Sequence, residues 1–333
     1  MEHIVPTIKK KNKIWKVTRN TVVVIAVILV SWIAFHHAIS AYERSKHPAP
    51  GEIVEVDGKN MHVYSKGQGE HTIVLLPGLG TTAPALDFEP FMNEMAKNNK
   101  VVVVEPFGYG WSDQTSKERT VENMVEEIRT ALKNANIEGP YILMPHSVSG
   151  IYSMYYANQY PNEVAAIIGN DITLPQALDY FNEPAPSMPT FMSMFAPTGV
   201  TRLLSYVSPN QFLPEAGKGT YSDENLAMTA LISAWKGANK NVVNEANGMA
   251  NNILKTKKMS FAPNLPVMIF ARERKDKTSV DGRTNLTFYE SQLSNSVTSK
   301  LIPLEGHHYL HWTNYKEMAD HVNRFIDTFE RNS

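Results

Sequence analysis

The chain has 333 residues, 43% hydrophobic and 20% charged, with 32 basic and 33 acidic side chains and no cysteine. That is enough to bury a sizeable core as one large α/β domain or two small ones, and the composition is not that of a disordered chain. Without cysteine there is no disulfide framework, thiolate nucleophile or Cys-ligated metal, and a net charge of −1 argues against a nucleic-acid partner.

The average charge conceals an asymmetry. Residues 1–19 carry six basic groups and one acid, which leaves 26 basic and 32 acidic groups in the rest. No charge follows Arg19 until Glu43, and residues 22–35 (VVVIAVILVSWIAF) are apolar throughout except for Ser31. At about 1.5 Å per helical residue, residues 20–42 reach the roughly 30 Å of a bilayer core. The expectation is a basic cytoplasmic head at 1–19, a single transmembrane anchor at 20–42, a linker at 43–51 and everything beyond on the outer side. Two rivals are a secretory signal cleaved near Ala38-Ile39-Ser40, giving a secreted protein, and a buried helix of the globular body.

Beyond the linker, apolar runs alternate with helical patterns. Short strands are expected at 52–56, 61–64, 72–76, 101–105, 141–144, 164–169, 266–270 and 300–304, the first two joined through the hairpin signal Asp57-Gly58. Helices are expected at 85–98, 121–134, 150–159 and 315–330. The pattern predicts a doubly wound, mostly parallel α/β sheet across 52–331. Residues 173–262 exceed any single crossover helix. They are rich in Met, Phe and Pro before two helical patterns at 223–236 and 240–256, and read as an inserted helical cap whose Met and Phe side chains form either an apolar substrate pocket or the cap's own core.

Chemistry gathers at the ends of strands. Residues 141–150 read YILMPHSVSG, a strand, a tight turn and a helix, with Ser149 small two positions after Ser147 and Pro145 two positions before it. A serine at the apex of such a turn projects its hydroxyl from the carboxyl edge of the sheet, beside a helix N-terminus that favours developing negative charge. The glycine-rich turn LPGLG (75-LLPGLG-80) ends an earlier strand and offers the backbone N–H of Leu79 as an oxyanion donor, with the N–H of Val148 as the second. The segment 304-LEGHHYLH-311 follows the last strand, and one of His307, His308 and His311 can deliver a base to Ser147. No acidic or Cys ligands cluster with these histidines, so a metal is not expected, and nucleophilic acyl transfer by a serine and a histidine requires no organic cofactor.

On these motifs, PHSVSG, LPGLG, EPFGYGWSD at 105–113 and EGHHYLH, in that order, the chain resembles the α/β-hydrolase superfamily across 52–331. The resemblance implies a Ser-His-acid triad in which the histidine is followed by an aromatic, an aliphatic and another histidine, which makes His308 the base. It departs at Pro145, which stands for a glycine, at Pro77, which stands for a histidine, and at His307, which stands for a glycine. The family's acid usually follows the strand at 266–270, where Glu273 and Asp276 sit among Arg and Lys. Some members carry it after the preceding strand, where Asp171 stands, and Asp171 is the preferred acid. The implied activity is nucleophilic acyl transfer on a carboxylic ester, probing a small-molecule or lipid-like apolar substrate. Amidase, peptidase and thioesterase chemistry use the same triad, and an inactive binding protein on the same fold is a further alternative. Serine at the apex disfavours the superfamily's epoxide hydrolases and haloalkane dehalogenases, which use aspartate there.

Overall fold

The computed structural model describes residues 8–273, 281–293 and 298–330. It opens with one long helix, α1 (Ile8–Lys46), followed by the strands β1 (Glu52–Val56), β2 (Lys59–Lys66), β3 (Thr72–Leu76), β4 (Lys100–Glu105), β5 (Tyr141–Pro145), β6 (Val164–Asn170), β7 (Val267–Arg272) and β8 (Lys300–Leu304). These form a single eight-stranded sheet in the order β1-β2-β4-β3-β5-β6-β7-β8. The β1–β2 and β2–β4 pairs are antiparallel and all other pairs are parallel. The hairpin turns on Asp57 and Gly58, both at positive φ, the backbone that a two-residue turn between twisted strands requires.

Alternate side chains of each strand supply two separate cores. Val74, Leu76, Val102, Val104, Leu143, Ile167 and Ile269 face α4 (Val121–Asn134), α5 (Ser149–Gln159) and α11 (Asn285–Gln292). Ile73, Leu75, Val101, Val103, Ile142, Met144, Met268 and Phe270 face α3 (Glu89–Met95), which follows the short α2 (Pro84–Asp87), and α12 (His311–Glu330). This double burial is why the strands read as unbroken apolar runs. Two helices differ from expectation. The span 85–98 is divided into α2 and α3, because Pro90 cannot continue a hydrogen-bonded helix from Asp87. The last helix starts at His311, four residues early.

Between β6 and β7 lies the helical cap, with α6 (Ala177–Phe181), α7 (Phe195–Thr198), α8 (Val200–Val207), α9 (Asp223–Lys236) and α10 (Lys240–Thr256). The two long cap helices begin at side-chain caps: Ser222 accepts the N–H of Asn225, and Asn239 accepts that of Asn241. Helix α1 is long and apolar enough to cross a membrane, and its residues Val22 to Val30 are exposed. Its last third is different in kind. His36 and Ser40 are buried, and Glu43 is bound by Arg202 of α8 in a bidentate pair at 2.8 and 2.6 Å.

Candidate active site

The turn from β5 into α5 carries Ser147 at φ +51°, a left-handed conformation that a non-glycine residue adopts only when its surroundings impose it. The restraints are visible. The Ser147 N–H donates to Asn170 O, and its carbonyl accepts from Gly150 and Thr173. Pro145 is the last residue of β5, in register with Leu76, so a proline there ends the strand without disturbing the turn. Ser149 is buried and its hydroxyl donates to Pro77 O, which ties the elbow to the turn after β3. Gly78 in that turn admits no side chain, since a Cβ there would lie 2.6 Å from His146 Nδ1.

His308 stands in the loop between β8 and α12, and its Nε2 accepts from the Ser147 hydroxyl at 2.8 Å. Its Nδ1–H donates to Asp171 Oδ2 at 2.6 Å. Asp171 follows β6 directly, at φ +43°, and its other oxygen accepts the backbone N–H of Arg272 at 3.1 Å. The structure thus brings Ser147, His308 and Asp171 together in one chain of hydrogen bonds. Glu273 stays outside it: its backbone bonds to Leu304 O while its side chain is exposed. Asp276 lies outside the described residues. His307 is exposed and stacks parallel to Trp312 at 5.1 Å. His311 is buried, donating to Asp87 and accepting from Asn170 at 2.7 and 2.8 Å. The backbone N–H groups of Leu79 and Val148 donate to no other group among the described residues, so both remain available beside Ser147. Among the described residues no group of three or more His, Asp or Glu is placed to hold a metal ion.

Several supporting residues are not among the site residues expected from the sequence, although three of them, Glu105, Tyr109 and Gly110, stand in the 105–113 motif. Glu105, the last residue of β4, is fully buried and accepts from His62 Nδ1 and from the N–H groups of Ala85 and Trp111. A Cβ on Gly110 would overlap its carboxylate, which is the physical reason for glycine in the 105–113 motif. Tyr109 from the same motif accepts the N–H of Gly80 at 3.2 Å and donates to Glu245 of α10 at 2.6 Å. Glu245 also accepts from Tyr152, and its complete burial raises its pKa. His146, the residue before Ser147, donates from Nε2 to His308 O at 3.2 Å. Burial, with His308 and His311 nearby, holds its imidazole well below the ordinary histidine pKa, so it is neutral.

An apolar cavity of about 350 Å³ runs from Gly80, Thr81 and Tyr309 up into the cap, against Met188, Met192, Phe195 and Leu204. Asp87 is the one charged residue in its lining, and its carboxylate is already engaged by His311 and Trp312.

Residues 71–216 match the family model described as alpha/beta hydrolase fold, and solved structures of that fold cover most of the chain. This chain has the α/β-hydrolase fold. The Cif epoxide hydrolase from Acinetobacter nosocomialis is similar to it at a TM-score of 0.63 and 16% identity, over 88% of this chain and 96% of that one. A bacterial membrane phospholipase A is similar at a TM-score of 0.59 and 15% identity, over 97% of this chain and all of that one. At these identities the likeness concerns the hydrolase fold alone. Among curated proteins, the uncharacterized YbdG of Bacillus subtilis is 40% identical over 167 residues, 49% of this chain and 51% of that protein. The mouse serine hydrolase BPHL is 28% identical over 123 residues, 34% of this chain and 40% of that protein. The chain spans about half the length, or less, of the curated relatives it matches.

Proposed function

We propose that this chain is a serine hydrolase that cleaves carboxylic esters of apolar acids, held at a membrane by α1. The observation that carries the reading is the continuous set Ser147 Oγ, His308 and Asp171 at 2.8 and 2.6 Å. In this reading Ser147 Oγ attacks the ester carbonyl while His308 takes its proton. The oxyanion is met by the N–H groups of Leu79 and Val148, and His308 returns the proton to the leaving alkoxide. Asp171 fixes the imidazole with its proton on Nδ1 and stabilises the imidazolium. Water, activated by His308, then releases the acid.

Apolar lining with a single, already engaged carboxylate supports an aliphatic acyl group rather than a charged peptide side chain. An epoxide hydrolase of this fold requires a carboxylate at the apex, and Ser147 stands there. A retained α1 is supported by the packing of its last third: cleavage after Ser40 removes two of the partners of Arg202, His36 and Ser40. The basic flank of Lys13, Lys16 and Arg19 favours a cytoplasmic N-terminus and an outward-facing hydrolase body.

The test is turnover of a short water-soluble ester by the full chain in detergent. Ser147→Ala and His308→Ala each lower kcat by about 10³-fold or more while the far-UV spectrum is unchanged. Turnover surviving Ser147→Ala rules the reading out.

A further inference from the structure

The cap leaves an apolar row in solvent. On α8, Leu203, Tyr206 and Val207 are 50%, 64% and 74% exposed, and at i, i+3 and i+4 they share one helix face. Phe191 and Met194, from the turn just before α7, are exposed to a similar degree. Five large apolar side chains left uncovered on one cap segment need a partner.

The position of α8 on α1 indicates which partner. Gly199, at the start of α8, lies so close to α1 that a Cβ there would come within 2.7 Å of His36 Cγ. One turn on, Arg202 is buried and donates to His36, Ser40 and Glu43. His36 is also where α1 changes character, one residue past the apolar run 22–35. From Arg19 to His36 is about 26 Å at 1.5 Å per residue, close to the roughly 30 Å of a hydrocarbon core. Helix α8 is therefore fixed at the height at which α1 leaves the bilayer.

The cavity reaches this same segment. Leu204 is both 42% exposed and part of the cavity wall, and Met192 lines the cavity between exposed Phe191 and Met194. The inner end is Gly80, Thr81 and Tyr309, the neighbours of Leu79 and His308.

We infer that the cap face formed by residues 191–194 and α8 rests in the interfacial layer of the leaflet from which α1 emerges, and that the cavity takes the acyl chain of a lipid ester drawn from that leaflet. The docking stands on the packing of α1 alone, whereas the substrate class rests on the ester-hydrolase reading. An ester entering this way leaves its chain in apolar surroundings throughout, from bilayer to cavity, and brings its carbonyl to Ser147. The Ser147 Oγ–acyl bond forms as the ester C–O bond breaks, the serine proton passes through His308 to the lipid alkoxide, and water then releases the fatty acid.

The native chain has no cysteine, so one introduced thiol reports one position. The full chain is reconstituted in phosphatidylcholine vesicles, with a bimane label at Val207→Cys or at Glu138→Cys, the latter exposed at the opposite end of the strands. Brominated phosphatidylcholine is expected to quench the Val207→Cys label by half or more and leave the Glu138→Cys label unchanged. An unquenched label at position 207 overturns the docking. Leu203→Glu and Val207→Glu are then expected to lower hydrolysis of the vesicle phosphatidylcholine at least tenfold, with turnover of a soluble butyrate ester within twofold of wild type. Equal vesicle hydrolysis by wild type and variants overturns lipid entry across this face. A wild type that turns over neither ester overturns the catalytic reading and leaves the quenching result to decide the docking by itself.

Discussion

Immediately before Ser147, His146 is completely buried, with one ring nitrogen on the His308 carbonyl and the other against Gly78. It packs on His308 and Tyr309, with ring centroids 4.8 and 4.3 Å away, and so supports the loop that carries His308. Its pKa is held down in the folded state by burial and by His308 and His311, so the unfolded chain takes up a proton that the folded chain refuses. Stability from this group is complete above the unfolded pKa of about 6.5 and is lost as pH falls below it, at up to about 1.4 kcal/mol per pH unit. Urea unfolding at pH 7.5 and 5.5 checks this. The loss between the two pH values is expected to be smaller by about 1.4 kcal/mol in His146→Gln than in wild type, and an identical loss contradicts the assignment. The carboxylate that meets His308 is the least legible residue of the candidate site. Asp171, Glu273 and Asp276 all follow strands, and local sequence cannot tell which carboxylate turns inward. Asp171 does so because it sits at positive φ directly after β6, held by the N–H of Arg272.

At the level of elements, cap and sheet are joined through buried polar groups. Tyr109 links the turn after β3, through the N–H of Gly80, to Glu245 on α10, so that turn and the cap share one side chain. Tyr109→Phe removes both bonds while keeping the ring. Losing about 1.4 kcal/mol of positioning lowers kcat for a soluble ester about tenfold, with KM within twofold. A fall confined to KM contradicts a role in positioning the turn after β3 for the proposed reaction. Arg202 and Glu43 join α8 to α1 in the same manner, and Trp235 of α9 adds an indole N–H to Glu43 at 2.7 Å. Breaking such a buried pair by removing one partner costs about 3–5 kcal/mol, which makes the end of α1 a structural part of the cap. Nothing in the sequence announces that Tyr109 meets Glu245 or that Glu43 meets Arg202 and Trp235, because these partners lie 136, 159 and 192 residues apart.

Across the whole molecule, legibility follows burial. Runs such as 101-VVVV-104 read correctly as parallel strands because both faces of the sheet are covered, and the helical cap stood out as sequence too long for one crossover. The elbow could be read because a tight strand-to-helix turn restricts its flanking residues to small ones, and His308 because its register matched the resemblance. Less could be read where packing is long-range. Helix α11 precedes β8 with apolar residues too few to show a period, and the docked end of α1 looked like a linker because Glu43 and Arg44 interrupt the apolar run. Together, sheet, cap and α1 describe an α/β-hydrolase-fold body with an apolar cavity reaching into the cap and a long apolar helix packed on α8.

Whether Ser147 is an activated nucleophile is read by fluorophosphonate labelling of the full chain in membranes, with the modified peptide identified by mass spectrometry. Phosphonylation is expected at Ser147 alone, and is lost in His308→Ala. A folded protein that stays unlabelled, or carries the label on another serine, contradicts an activated Ser147.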